Sequence, residues 1–598
     1  NERRAGATMN ARQVPVVVMM IVISASRADE TYGVGEGSAS KTNLPAAKRD
    51  DDGVWRQPIR AILNEATSTL WVLCQRSPSL MKMPLNDTAP RAILPLSGRP
   101  ESMVWIEGGT LAITDSQRDI ITLFDTNQAP PKVTAEIAVG EDPRELLVGK
   151  DGKSLFVSCR SAQQVQRIDL AQQKIAWTCD LAYSPHCLAQ DIGNTVLMVA
   201  DAFRGMIAVV DPTTGEKIAA HQFPGTNIRG MAFTADDEYL VFTHQIISEN
   251  SIIERETVRW GSFITNNVRR VRKEVITSPS IDAAKNSDLG FVGGFGHGAG
   301  DPGKLLIPST NRWIVCLTGV QEIGIDTGWP LRFDRVRVGR RPIDVVVDHA
   351  GKRAYVVNMF DDAISVVDLE TSQVIESMSL GPMPEETAAM RGEVLFHDSR
   401  ISLDSWYSCQ SCHTDGETNN SNSDTFSDGG FGSPKNTPSL RGVRQTGPWS
   451  WVGRFNKLEE QIASTIEHTM QSNYVSSQRA EDLAEYLATL EPRTRRRAEA
   501  GSVEWRGRAV FETQGCADCH AGERFTKETL EDVGMDDGLA GHHLFNPPSL
   551  RSLKLTAPYF HDGRATSLEE VIDKFGHRLT RKLADDERAE LLAYLRSL

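Results

Sequence analysis

Two spacings of apolar residues divide the chain. From Pro58 to Leu380, short runs alternate β-branched and polar residues with a period of two, the spacing of half-buried strands. "QQVQRIDLAQQKIAW", "GMIAVVDPTTGEKIA" and "DAISVVDLETSQVIE" share one pattern: an alternating run, an Asp, a turn and another run. The marking Asp falls at Asp125, Asp169, Asp211, Asp326 and Asp368, with gaps of 44, 42, 115 and 42 residues. A recurrence in the forties with four short strands per unit predicts a β-propeller. The long gap fits two units plus an insertion around "RETVRWGSFITNNVRRVRKE", so about seven blades are expected over 56–383. From about Pro384 the spacing becomes helical. "SSQRAEDLAEYLATLEP" and the final "LADDERAELLAYLRSL" each place apolar residues on one helix face.

The helical part is duplicated. "TGPWSWVGRFNKLEE" from Thr446 returns as "TAPYFHDGRATSLEE" from Thr556, with seven of fifteen positions identical and no gap. "NTPSLRG" at Asn436 pairs with "NPPSLRS" at Asn546. "CQSCH" ends at His413 and "CADCH" at His520, so each copy opens with Cys-x-x-Cys-His. The expected domains are a first module at 384–500 and a second at 501–598.

Cys-x-x-Cys-His is the attachment signature of c-type haem. Two thiols on one tight turn can form thioethers to the two vinyl groups of one porphyrin, and the next His reaches the iron. Cys409, Cys412, Cys516 and Cys519 are the expected attachment residues, and His413 and His520 the proximal ligands. A zinc knuckle or a thioredoxin-like pair leaves the repeated His unexplained. Five other cysteines, Cys74, Cys159, Cys179, Cys187 and Cys316, read as small buried hydrophobes on strands.

Composition adds constraints. The 598 residues carry a net charge of −14 with 40% hydrophobic residues, enough for several domains and with no basic excess for nucleic acid. "MNARQVPVVVMMIVISASRA", from Met9, reads as a secretory signal over 1–28, its apolar core too short for a comfortable membrane span. A polar lead-in over 29–55 follows. Export to the periplasm suits haem c, which is attached outside the cytoplasm. "GAGDPGKL" at Gly298 has phosphate-loop spacing, but Leu305 replaces the Ser or Thr that would hold magnesium, so it is set aside. "RRVRK" from Arg269 and "RTRRR" from Arg493 read as solvated turns.

Residues 384–598 resemble the bacterial dihaem cytochrome c peroxidase and MauG group, on both CxxCH sites, "NTPSL", "PWSWVGR", "LEEQ" and "TAPYFHDGRATSLEE". The whole chain resembles the subgroup in which a YVTN-type propeller precedes such a module, through "KRAYVVNMFDDAISVVDLET". The resemblance implies two covalently bound haems c, one meeting hydrogen peroxide and the other relaying electrons from a protein or small-molecule donor. It implies that Trp451 relays between the haems. It implies a calcium site from Asn436 with the backbone of Thr556 and Pro558, a donor set of oxygens that suits the ion.

Two departures stand out. The family's peroxidatic module has a Glu ten residues after the Gln of "LEEQ", whereas Gln461 is followed at that distance by Gln471, which cannot shuttle a proton as a carboxylate does. Glu467 is the nearest carboxylate, but its helical phase points away from Gln461; His468 falls on the helical face of Leu458 and Gln461, making it a candidate distal base or ligand, and Met470 is a further ligand candidate. In the second module the family's sixth ligand would fall at Phe575, which cannot bind iron, so His577 is the candidate replacement. Two functions follow as expectations: a peroxide-dependent oxidoreductase, or a non-enzymatic electron-transfer protein whose propeller docks a redox partner.

Overall fold

The computed structural model describes residues 53–85, 91–473, 476–492, 498–538 and 541–598. The predicted signal, nearly all of the lead-in and the basic run from Arg493 lie outside the described residues. Trp55, assigned to the lead-in, is buried against Phe360 at a ring separation of 5.7 Å, so the first sheet's core begins before Pro58.

The strand-rich region consists of antiparallel sheets. Five have four strands in chain order, and a sixth has seven, running from Pro185–Gln190 to Ser287–Phe291. The seven-stranded sheet explains the 115-residue gap. Its 17-residue strand Lys217–Phe233 pairs on one side through Lys217–Thr226 and on the other through Thr226–Phe233, so two four-stranded units share it. The residues predicted as an insertion form a helix, Arg255–Arg259, and a ladder strand, Ile264–Arg272. "RRVRK" is accordingly strand rather than turn: Arg269 is buried and donates to Ser287 Oγ at 2.7 Å, and Arg270 pairs with Asp288 at 2.7 Å.

Local chemistry explains the repeat. Each marking Asp stands at the end of its unit's third strand and accepts backbone N–H groups from the turn beyond. Asp169 takes Gln172 N at 2.8 Å, and Asp368 takes Glu370 N and Thr371 N at 3.0 and 2.8 Å. Asp does this well because its short carboxylate reaches its own turn. Second strands such as Thr69–Cys74 and Ser154–Cys159 are buried throughout, while fourth strands such as Lys132–Ala138 are largely exposed. All five non-haem cysteines are buried, on strands. First strands pack on one another in succession, Pro58–Asn64 on Pro100–Ile106, that on Pro143–Val148, and so on; Pro342–Val347 packs on Pro58–Asn64.

The C-terminal region is mainly helical. In the first module Ala388–Phe396 crosses Ser477–Ala488, and in the second Val503–Thr513 crosses Asp585–Arg596. Both crossings use one device. A Cβ on Gly392 would meet Asp482 O at 1.9 Å, and one on Gly507 would meet Glu590 O at 1.9 Å, so glycine lets the helices touch. Among the described residues no helix is long and apolar enough to cross a membrane.

Candidate functional site

The short helix Cys409–Cys412 begins after Ser408 and is held from the strand-rich side. The half-buried Asp301 carboxyl accepts Ser408 Oγ and Ser411 Oγ, both at 2.5 Å, and Ser399 Oγ at 3.2 Å; desolvation pushes its pKa up. Asn227 Nδ2 donates to Ser411 O at 2.9 Å, and Asn266 Nδ2 donates to Trp406 O at 2.8 Å. Asp301 lies inside "GAGDPGKL", which the sequence offered only as a failed phosphate loop. The available signal was an Asp before the Pro that opens a first strand, a polar residue at the end of the sheets that faces the helical region.

Above this helix lies a cavity of about 340 Å³, walled by Cys409, Cys412, His413, Gln461, Met470 and Trp451 among others, and reaching Tyr559 and Phe560 of the second module. His413 Nδ1 donates to Pro438 O at 3.0 Å, which leaves Nε2 with its lone pair free. Burial lowers its pKa to about 4, so the ring is neutral at pH 7. Burial also pushes the Cys409 and Cys412 thiols up to about 12. The second module repeats the arrangement: His520 Nδ1 donates to Pro548 O at 3.1 Å, from the matching proline of the duplicated loop. Across from it stands His577, with ring centres 6.5 Å apart. Two imidazoles on opposite sides of one metal, each bonded at about 2 Å, have centres about 6 Å apart. His577 Nδ1 is buried without a partner, and its pKa is lowered to about 4 by burial, His520 and Arg578. Paired free cysteines, an anchored His with a free nitrogen and an open or His-capped far side fit a covalently held haem in each module.

The distal expectations divide. Gln461 lines the first cavity, its Nε2 donating to Thr465 Oγ1 at 3.2 Å and its Oε1 buried without a partner. Met470 lines it too and is buried. Glu467 is exposed, and His468 packs edge-on against Phe426 at 5.1 Å, outside the lining. His468 misses the cavity because Thr465–Thr469 is a π-helix, with Met470 N bonded to Thr465 O, so the turn is wider than the α-helical phase on which His468 was placed; that phase already pointed Glu467 away from Gln461. Gln471 turns away and donates to Ile253 O at 3.1 Å.

The two modules meet through their duplicated loops. Asn436 Nδ2 donates to Pro558 O at 2.5 Å, and its Oδ1 is buried without a partner; Asn436 N donates to His561 O at 2.7 Å. In mirror fashion Asn546 Nδ2 donates to Pro448 O, its Oδ1 is also orphaned, and Asn546 N donates to Trp451 O at 2.8 Å. Trp451 Nε1 donates to Asn436 O at 2.8 Å, placing the indole at this junction. Asp428, Asp537 and His542 also lie close enough to share a cation, but the buried Lys435 ammonium already sits 2.8 Å from Asp428 and 3.2 Å from Asp537.

Residues 386–500 match the family described as di-haem cytochrome c peroxidase. The match lies within the C-terminal third of the chain and spans the first of the two Cys-x-x-Cys-His copies. A methylamine utilization protein MauG from Methylorubrum extorquens is 28% identical over 288 residues, covering 36% of this chain and 79% of that protein. A cytochrome c551 peroxidase from Nitrosomonas europaea is 26% identical over 267 residues, covering 35% of this chain and 78% of that protein. Among solved structures, Kuenenia stuttgartiensis hydrazine synthase overlaps 56% of this chain and 99% of its own, at 18% identity and a TM-score of 0.45. The family match and these relatives imply covalently bound haem c and support a peroxidase-like di-haem oxidoreductase.

Proposed function

We propose that the chain is an exported, peroxide-dependent oxidoreductase that carries two haems c and passes electrons between them through Trp451. The observation that carries this reading is the repeated anchoring of His413 and His520 by the carbonyls of Pro438 and Pro548, beside paired free cysteines. In this reading Cys409, Cys412, Cys516 and Cys519 would hold the haems through thioethers, His413 and His520 would bind their irons, and His577 would help hold the second. When bound, the haems would supply the one-electron and peroxide chemistry. The chain's own part is positioning. Pro438 O fixes the His413 tautomer, Asp301 clamps the Cys409–Cys412 turn, and Gln461 presents an amide to a ligand in the first cavity. Asn436 and the carbonyls of Thr556 and Pro558 would share calcium; the orphaned Asn436 Oδ1 beside Pro558 O supports that role.

The finer architecture belongs to the same proposal: a seven-bladed propeller over 56–383 and haem domains at 384–500 and 501–598. The succession of packed first strands and the shared 17-residue strand support seven blades. The haem chemistry and the apolar run after Met9 support a periplasmic location.

One observation favours the electron-carrier reading. No carboxylate lines the first cavity, and His413 is its one imidazole among the described residues, so no side chain there offers ready proton transfer to peroxide. Mixing the reduced, haem-loaded protein with hydrogen peroxide decides between them. A rapid change in the Soret band with peroxide consumed is expected; two unaltered low-spin haems would leave the carrier reading.

A further inference from the structure

A second chamber, of about 540 Å³, lies between the starts of the first strands and the underside of the first haem module. Nine Arg and Lys side chains line it against four carboxylates. Most of these cations are already met. Arg160 and Arg229 share Asp415 at 2.7 and 3.2 Å, Arg144 pairs with Asp142 at 2.7 Å, and Arg76 pairs with Glu393 at 3.1 Å. Arg341 is different. It makes no ion pair among the described residues and lies 5.1 Å from the Phe360 ring centre. Lys304, on the strand Pro302–Ser309 that packs beside Pro342–Val347, reaches Glu145 only at 4.0 Å. The Asp301 carboxyl, the nearest acid in the chain to Lys304, is taken up by three serine hydroxyls.

The backbone places Arg341 there deliberately. It stands immediately before Pro342, with φ +52°, and Gln57, Asp142 and Asp301 hold the same left-handed turn before Pro58, Pro143 and Pro302. Each such turn directs the pre-proline residue to this end of the sheets. A desolvated guanidinium without a counter-ion is costly, and an arriving anion offsets that cost. The planar guanidinium fork matches carboxylate and phosphate oxygens, and the volume suits a small organic molecule.

We propose that this chamber binds a small organic anion bearing carboxylate or phosphate groups, held by Arg341 and Lys304. The chamber shares only Arg441 with the cavity of the first module, and the proposal does not depend on peroxide chemistry. Titration calorimetry on the haem-loaded protein tests it, with citrate, succinate and inorganic phosphate as probes and chloride at matched ionic strength as control. Saturable binding at one site per chain is expected for citrate or phosphate, their ranking separating carboxylate from phosphate preference. Arg341→Gln and Lys304→Met are each expected to weaken it tenfold or more with the Soret spectrum unchanged. Absence of saturable binding to the native protein overturns the proposal, as does undiminished binding to Lys304→Met together with Arg341→Gln. Should Arg341→Gln not fold, Lys304→Met and the native titration decide alone.

Discussion

In the first haem module the π-turn Thr465–Thr469 is followed by Met470, Gln471 and Ser472; in the second, Glu570–Lys574 is followed by Phe575, Gly576 and His577. The backbone is the same in both. Met470 N bonds Thr465 O at 2.9 Å and Phe575 N bonds Glu570 O at 3.0 Å; Ser472 N bonds Ile466 O and His577 N bonds Val571 O; Gln471 and Gly576 both have positive φ. The same turn therefore recurs in the second module, five residues earlier relative to the duplicated loop, and all three residues that follow it differ. Where the first module offers a thioether and a hydroxyl, the second offers a phenyl and an imidazole. Imidazole is the stronger donor to iron, and its ring already faces His520. The modules thus differ in the residues that close this turn: the first is followed by Met470 on the wall of a roomy cavity, and the second by His577, whose ring lies 6.5 Å from that of His520.

The largest expected effect breaks that contrast. His577→Ala should convert one haem from low to high spin in the ferric EPR spectrum while both haems stay attached by mass. Met470→Ala should leave that low-spin signal as it was. A low-spin signal that survives His577→Ala would mean the second module is capped by something else.

Trp451 and its counterpart sharpen the comparison at the junction. Trp451 is matched in the second loop by His561, which is buried, stacks on Phe545 at 4.0 Å and leaves Nε2 without a partner. The indole thus has an anchored hydrogen bond to Asn436 O, and the imidazole has none. Trp451→Phe should slow electron exchange between the haems by about tenfold, the change that about 1.4 kcal/mol in a barrier produces. Stopped-flow spectra of the half-reduced protein read it directly. Exchange at the native rate would remove Trp451 from the path.

Much of this was legible in the sequence because its signals are local. The marking Asp residues cap turns one to three residues away, and the last helices begin and end near their apolar stripes. What was not legible depends on longer-range geometry. The unit whose third strand is Ile264–Arg272 ends that strand without an Asp, so the 115-residue gap read as two units plus an insertion. A π-turn shifts phase without any residue that announces it, which is why His468 was placed on the cavity and Met470 ranked below it. Asp301 acts on serines about a hundred residues away, and no spacing rule links them. The cationic chamber likewise gathers single arginines from separate units.

The two asparagines of the duplicated loops give a smaller, graded test. Asn436 is 6% exposed, whereas Asn546 is only half-buried. Removing a buried partner strands a carbonyl at a cost of about 1–3 kcal/mol. Asn436→Ala should therefore lower stability to denaturant by about that amount, and Asn546→Ala by less. If Asn436 holds calcium, a chelator should lower Tm in the native protein and leave Asn436→Ala unmoved. Equal chelator sensitivity in both proteins would place any calcium elsewhere.

The smallest effect is expected at His468, which the helical phase singled out, and at its neighbour Glu467. His468 contributes one edge-to-face contact with Phe426, and such aromatic pairs contribute about 0.5–1.5 kcal/mol. Glu467 is exposed and lines no wall of the cavity. His468→Ala should cost stability on that scale, and Glu467→Gln should cost less. Neither should change the rate at which peroxide alters the Soret band, because a group outside the cavity cannot hand a proton to a ligand within it. Gln461→Ala supplies the contrast, since that amide does line the cavity and should change the rate. A slowed reaction in His468→Ala with Gln461→Ala unaffected would mean the π-turn rewinds when the haem binds, carrying His468 inward. In that case the two modules would differ in how their turns wind as well as in the side chains that end them.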